Sequence, residues 1–70
     1  MRVKNPYLVE MGKKIKAARN AKGLYVRDLG KLCELDYSNI CRIERGEMSA
    51  RILTLKLIAD KLEVDVRDFL

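Results

Sequence analysis

The sequence predicts an all-α domain of five short helices. Apolar residues recur at steps of three and four along most of the chain, the spacing of one helix face. Strand signals are weak, because β-branched residues are scattered and nothing alternates for long. Pro6, Gly23 and Gly46 fall at joints between the periodic stretches. At 70 residues there is room for one domain, residues 1–70, and not for a second. A domain this small removes only about 60% of its unfolded surface from water, so its core must be thin.

Asn5-Pro6 opens the first helix, with Asn5 as the cap and Pro6 at the first helical position. Leu8, Met11, Ile15 and Ala18 form its apolar stripe, Glu10 is set to pair with Lys14 one turn on, and Gly23 ends it. A second helix is expected from about Val26 to Cys33, with Leu29, Leu32 and Cys33 at apolar positions. Only Glu34-Leu35-Asp36 separates it from a third helix, which Asp36 caps, which runs to about Arg45, and which Gly46 closes. Met48 to Arg51 is a loop. A fourth helix then spans about Ile52 to Leu62, with Ile52, Leu55, Ile58, Ala59 and Leu62 as its core stripe. Asp65-Val66-Arg67-Asp68 is a loose capping box opening a short fifth helix.

Hydrophobic residues make up 49% of the chain and charged residues 36%, the balance of a folded globular domain. No run approaches the roughly 20 apolar residues of a membrane span. The start, Met1-Arg2-Val3-Lys4, lacks the apolar stretch of a signal peptide, so a cytoplasmic protein is expected. His is absent, which removes the commonest general base and the commonest metal ligand together. Neither a glycine-rich phosphate loop nor a paired-carboxylate pocket is evident, and no enzyme is expected. Cys33 and Cys41 are too few for a disulfide framework or a zinc site and read as free thiols. No cofactor, metal or small-molecule ligand is anticipated.

The net charge of +5 is unevenly spread. Residues 1–23 carry seven bases (Arg2, Lys4, Lys13, Lys14, Lys16, Arg19, Lys22) against one acid, Glu10. Residues 24–46 balance, and residues 47–70 are slightly acidic. A basic face on a small chain points to a polyanion, nucleic acid first, although a solvated basic helix has the same composition.

Two short helices joined by a three-residue turn make a helix-turn-helix layout over about residues 26–45. At about 100° per residue, Ile40 and Ile43 share the core face of the third helix. Ser38, Arg42 and Arg45 cluster opposite, with Cys41 at the edge and Tyr37 at the N-terminal end. That face offers a hydroxyl, two guanidiniums and an amphipathic ring, and Arg is the side chain that pairs bidentately with guanine in a major groove. Glu44 falls close to the apolar face, where an unpaired carboxylate is costly. Arg19 lies on the same side of the first helix as Ile15, so an Arg19–Glu44 ion pair clamping helix one to helix three is expected.

The stretch from Leu24 to Gly46 resembles the lambda-repressor-like (Cro/cI, Xre-type) helix-turn-helix family. Ile40-Cys41-Arg42-Ile43-Glu44-Arg45-Gly46 carries the resemblance most specifically, and the likeness extends over about residues 8–70. It implies five helices and DNA binding, usually as a two-fold dimer on a palindromic operator. It places the recognition helix at about 37–45, with base contacts at Tyr37, Ser38, Arg42, Cys41 and Arg45. Lys13, Lys14, Lys16, Lys22, Arg27 and Asn39 are the candidates for phosphate contact, and the family's Arg–Glu clamp falls on Arg19 and Glu44. The chain departs from the pattern at several points. Tyr25-Val26 stands where a Ser or Thr cap and a phosphate-binding Gln are usual, so helix two should lose a cap. Glu34 stands where Gly is usual in the turn, Gly30 replaces the usual Ala, and Ala50 a common Pro. Cys41 replaces a Ser, which is a simpler reading than a redox sensor.

Leu53 and Leu57 lie opposite the core stripe of the fourth helix and should be exposed in a monomer. With Val66, Phe69 and Leu70 they form the expected dimer surface, unless the fifth helix folds over them within one chain. The sequence therefore reads as a stand-alone transcriptional regulator of repressor or controller type, whose partners are double-stranded DNA and a second copy of itself. The alternative is an antitoxin or interaction module that meets a foreign protein at Leu53 and Leu57.

Overall fold

The structure, a computed structural model, describes residues 5–70. The bases Arg2 and Lys4 and the rest of the leading segment lie outside the described residues. Four α-helices follow in order: α1 (Pro6–Ala21), α2 (Val26–Cys33), α3 (Tyr37–Glu44) and α4 (Ile52–Leu62). The expected fifth helix is a single 3-10 turn, Val66–Phe69. Among the described residues there is no strand, and no helix is long and apolar enough to cross a membrane.

The caps explain where the helices begin. The Asn5 side chain accepts the Tyr7 N–H at 2.8 Å ahead of Pro6. Asp36 accepts the Ser38 N–H at 3.0 Å, and Asp65 accepts the Arg67 N–H at 2.9 Å. The Asp65 carboxylate also holds the Arg67 guanidinium, where a reciprocal bond from Asp68 was expected. Tyr25 gives α2 no side-chain cap, but Asp28 supplies the other half of a capping box by accepting the Tyr25 N–H at 2.9 Å. Glu10 pairs at 3.7 Å with Lys13, three residues on, rather than with Lys14.

The helix ends show two left-handed residues with side chains. Glu34 ends α2 at φ 55°, ψ 41°, and Glu63 ends α4 at φ 59°, ψ 41°. Gly46 closes α3 at φ +74° and also lies hard against α1, where an added Cβ would stand 2.8 Å from the Val9 Cα. Gly12 fixes the same crossing from the other side: a Cβ there would lie 2.4 Å from the carbonyl oxygens of Ile43 and Glu44. No side chain fits that gap, so α1 and α3 meet backbone to backbone.

The core is one cluster: Ile15 of α1, Leu29 and Cys33 of α2, Ile40 and Ile43 of α3, Leu55, Ile58, Ala59 and Leu62 of α4, and Phe69. Phe69 is only 2% exposed, which corrects its place in the dimer surface. The 3-10 turn folds back onto α1 and α4 and drives the ring into the thin core, where it removes more apolar area from water than any rim position offers. Leu57 and Val66 are half-buried against the same cluster for the same reason. Ile52 is 58% exposed rather than part of the stripe, because it occupies the first position of α4, outside the packed layer. Leu32 is also exposed, at the solvent side of α2.

Candidate nucleic-acid interface

Burying Ile40 and Ile43 fixes the rotation of α3, and everything opposite them is presented outward. Ser38, Asn39, Arg42 and Arg45 are exposed, Tyr37 is partly exposed at the first position, and Cys41 is half-buried. Three neighbours flank this face. On one side Arg27 of α2 lies over the Tyr37 ring, its guanidinium carbon 5.9 Å from the centroid. On another, Lys16 of α1 shares a cleft with Cys41, Glu44 and Arg45. On the third, Asn39 lies along a groove with Ser49, Arg51 and Thr54 from the loop and start of α4. Sequence reasoning did not single out Ser49 or Arg51. Their signal was weak, since only the folding of the loop beside α3 brings them there.

The helix is held by a buried ion pair. Arg19 Nε donates to Glu44 Oε2 at 2.7 Å, and its Nη2 donates to Oε1 at 3.1 Å. The third arm, Nη1, donates to the Leu24 carbonyl at 2.7 Å. Both side chains are about a tenth exposed or less. The hydrogen-bonded Glu44 carboxylate pushes the Arg19 pKa up, against the opposing effect of burial. One guanidinium thus joins α1, the α1–α2 loop and the end of α3, with every charged atom satisfied.

Ser38 has a defined chemistry. Its Oγ donates to Asp36 Oδ1 at 2.9 Å, so its proton is engaged and its lone pairs face outward as acceptors. Asp36 sits below the ordinary carboxylate range because it accepts first the Ser38 N–H and then the hydroxyl, with Arg42 adding to the effect. Arg45 stands 3.7 Å from Glu47.

The lysines do not all reach this face. Lys16 flanks α3, but Lys14 lies on the other side of α1, along a groove with Tyr7, Leu8, Met11, Phe69 and Leu70. The two lie about 160° apart around the helix, so Lys14, expected as a phosphate contact, does not sit beside α3. Lys13 is paired with Glu10, and Lys22 bridges to Glu63 at the C-terminal ends of α1 and α4. Of the expected dimer residues, Leu53 is 77% and Leu70 69% exposed. Among the described residues no cluster of three or more His, Cys, Asp or Glu is placed to hold a metal ion.

A recognition-type helix seated on its partner by a short turn, with a polar and cationic outer face, defines a helix-turn-helix DNA-binding domain. The chain belongs to the HTH_3 helix-turn-helix family, whose profile matches residues 15–69, and it is a DNA-binding regulator. It is similar to the restriction-modification controller protein C.AhdI from Aeromonas hydrophila at 30% identity and a TM-score of 0.86, over 90% of this chain and 96% of that one. It is similar to the wild-type restriction-modification controller protein C.Esp1396I at 34% identity and a TM-score of 0.83, over 93% of this chain and 84% of that one. SinR, the master regulator for biofilm formation, in a structure with DNA, is 27% identical with a TM-score of 0.81, over 84% of this chain and 95% of that one. A comparison with curated proteins gave no match.

Proposed function

We propose that this chain is a cytoplasmic, sequence-specific transcriptional regulator of stand-alone repressor or controller type, acting as a two-fold dimer on a palindromic operator. The observation that carries this reading is the outer face of α3. Ser38, Arg42 and Arg45 point away from Ile40 and Ile43 on a helix that a buried ion pair holds rigid. Arg42 and Arg45 supply forked donors for guanine, Ser38 an acceptor for the amino group of adenine or cytosine, and Tyr37 a ring at the leading end. Cys41 borders the face. Lys16, Arg27 and Asn39 flank that face and are the proposed phosphate contacts, and Lys13 contributes only if its pair with Glu10 opens. Lys22 contributes only if its bridge to Glu63 opens. The similarity to restriction-modification controller proteins supports this class.

Leu53, together with Leu70 and the rims of Leu57 and Val66, is the proposed dimer surface. A two-fold dimer places two copies of α3 about 34 Å apart, in successive major grooves, and occupancy excludes or recruits other proteins. The antitoxin reading rests on the same exposed Leu53 and predicts a foreign partner there.

Titrating duplexes that differ by one base pair at a time, with wild type and Arg42→Ala, tests the reading. Arg42→Ala should weaken discrimination at one base pair per half-site by about 1–3 kcal/mol, with unfolding unchanged. An equal loss on every duplex would make Arg42 a phosphate contact and remove it from base readout.

A further inference from the structure

We propose that α2 positions the reading end of α3 through Tyr37, with Gly30 as the seat and Arg27 as the clamp; this rests on α3 being the DNA-reading helix. Tyr37 is the first residue of α3, so no preceding turn of its own helix packs against the ring. Arg27 of α2 takes that role, and Gly30, three residues on, faces the same way. Arg27 lies over the ring at 5.9 Å, within the range in which a π face attracts a cation. The residue remains 48% exposed, so one side is engaged and the rest is open to a partner. Gly30 lies beneath the backbone of the same residue. A Cβ there would stand 3.2 Å from the Tyr37 Cβ, 3.3 Å from its Cα and 3.0 Å from the Leu35 carbonyl oxygen.

Those distances are shorter than side-chain carbons ordinarily approach. The atoms crowded are backbone and Cβ, not flexible tips, so a methyl group at position 30 must displace the start of α3. Glycine is a poor residue for a helix interior. Its presence lets α3 begin close enough to α2 for Tyr37 to meet Arg27. Neither residue reads a base in this proposal: they are positioning residues for a ring that does.

The test is the single-base-pair binding profile of the intact chain for wild type, Tyr37→Ala, Gly30→Ala and Arg27→Lys. Arg27→Lys keeps the charge and removes the guanidinium over the ring, and it lies on the surface, so it stays informative if Gly30→Ala fails to fold. Tyr37→Ala should flatten one base pair per half-site by about tenfold, at the scale of a specific groove contact. Gly30→Ala and Arg27→Lys should flatten that same base pair, Arg27→Lys by about twofold, since a lysine keeps part of a surface cation–π contact. The base pair assigned to Arg42 and the salt dependence should stay as in wild type. A uniform loss on all duplexes, or profiles parallel to wild type, would overturn the proposal. So would a Tyr37→Ala profile with no flattened position while Arg42→Ala has one, and the DNA reading would then stand. A wild type without any base preference would instead remove the DNA reading itself.

Discussion

Arg19 is the residue on which the interface most depends, because its three nitrogens tie three segments together at one buried point. Removing Glu44 would leave that guanidinium in the interior without its counter-charge. Glu44→Ala should destabilise the fold by about 3–5 kcal/mol, the loss expected when one partner of a buried pair is taken away. For a domain this small that lowers Tm by more than about 10 °C in a thermal unfolding scan. A change under about 1 kcal/mol would mean that the pair opens readily to water. The pair was legible in the sequence, since a carboxylate on an apolar helix face needs a cation and Arg19 lay on the same side of α1 as Ile15. The Leu24 carbonyl was not legible, because backbone acceptors leave no mark in a sequence.

At the scale of the elements, α2 and α4 both end on a glutamate in the left-handed region, where a side chain costs roughly 1–2 kcal/mol relative to glycine. Glu34→Gly and Glu63→Gly should therefore each raise stability by about 1 kcal/mol, with slightly less from Glu63 because its exposed bridge to Lys22 is lost. Denaturant midpoints that fall in both variants would contradict this. The caps set the pH response. Ser38 holds the Asp36 pKa down, Arg67 that of Asp65, and Lys22 that of Glu63. A depressed carboxylate stabilises above its unfolded pKa and loses that contribution as pH falls through the lower folded value. Tm should thus be flat between about pH 6 and 8, where no His titrates, and decline below about pH 4. Asp36→Asn, which keeps a capping oxygen, should shrink the acid decline. The helices, their caps and the core stripes were legible from period and end residues. Glu34 was flagged by comparison with a usual glycine, whereas Glu63 had nothing to flag it. Phe69 read as surface because four residues cannot show a period, and only the fold-back of the 3-10 turn buries it.

For the whole molecule, charge matters by where the fold puts it. The sequence shows a basic first helix but not which lysines share a side with α3, because that depends on how α1 rolls against α3 at Gly12. Lys16→Gln should lower the salt dependence of DNA binding by about one unit of slope per site, while Lys14→Gln should leave it unchanged. Equal effects would mean that DNA wraps α1. Of the residues expected for a dimer surface, Leu53 and Leu70 are exposed, whereas Phe69 belongs to the core. Leu53→Glu should shift sedimentation toward the monomer and weaken binding to two half-sites far more than to one. The most direct test of DNA reading by a two-fold dimer is selection from a randomised duplex library near physiological salt. The account predicts an enriched palindrome with half-sites about one helical turn apart. Salt-sensitive binding with no enriched sequence would contradict it.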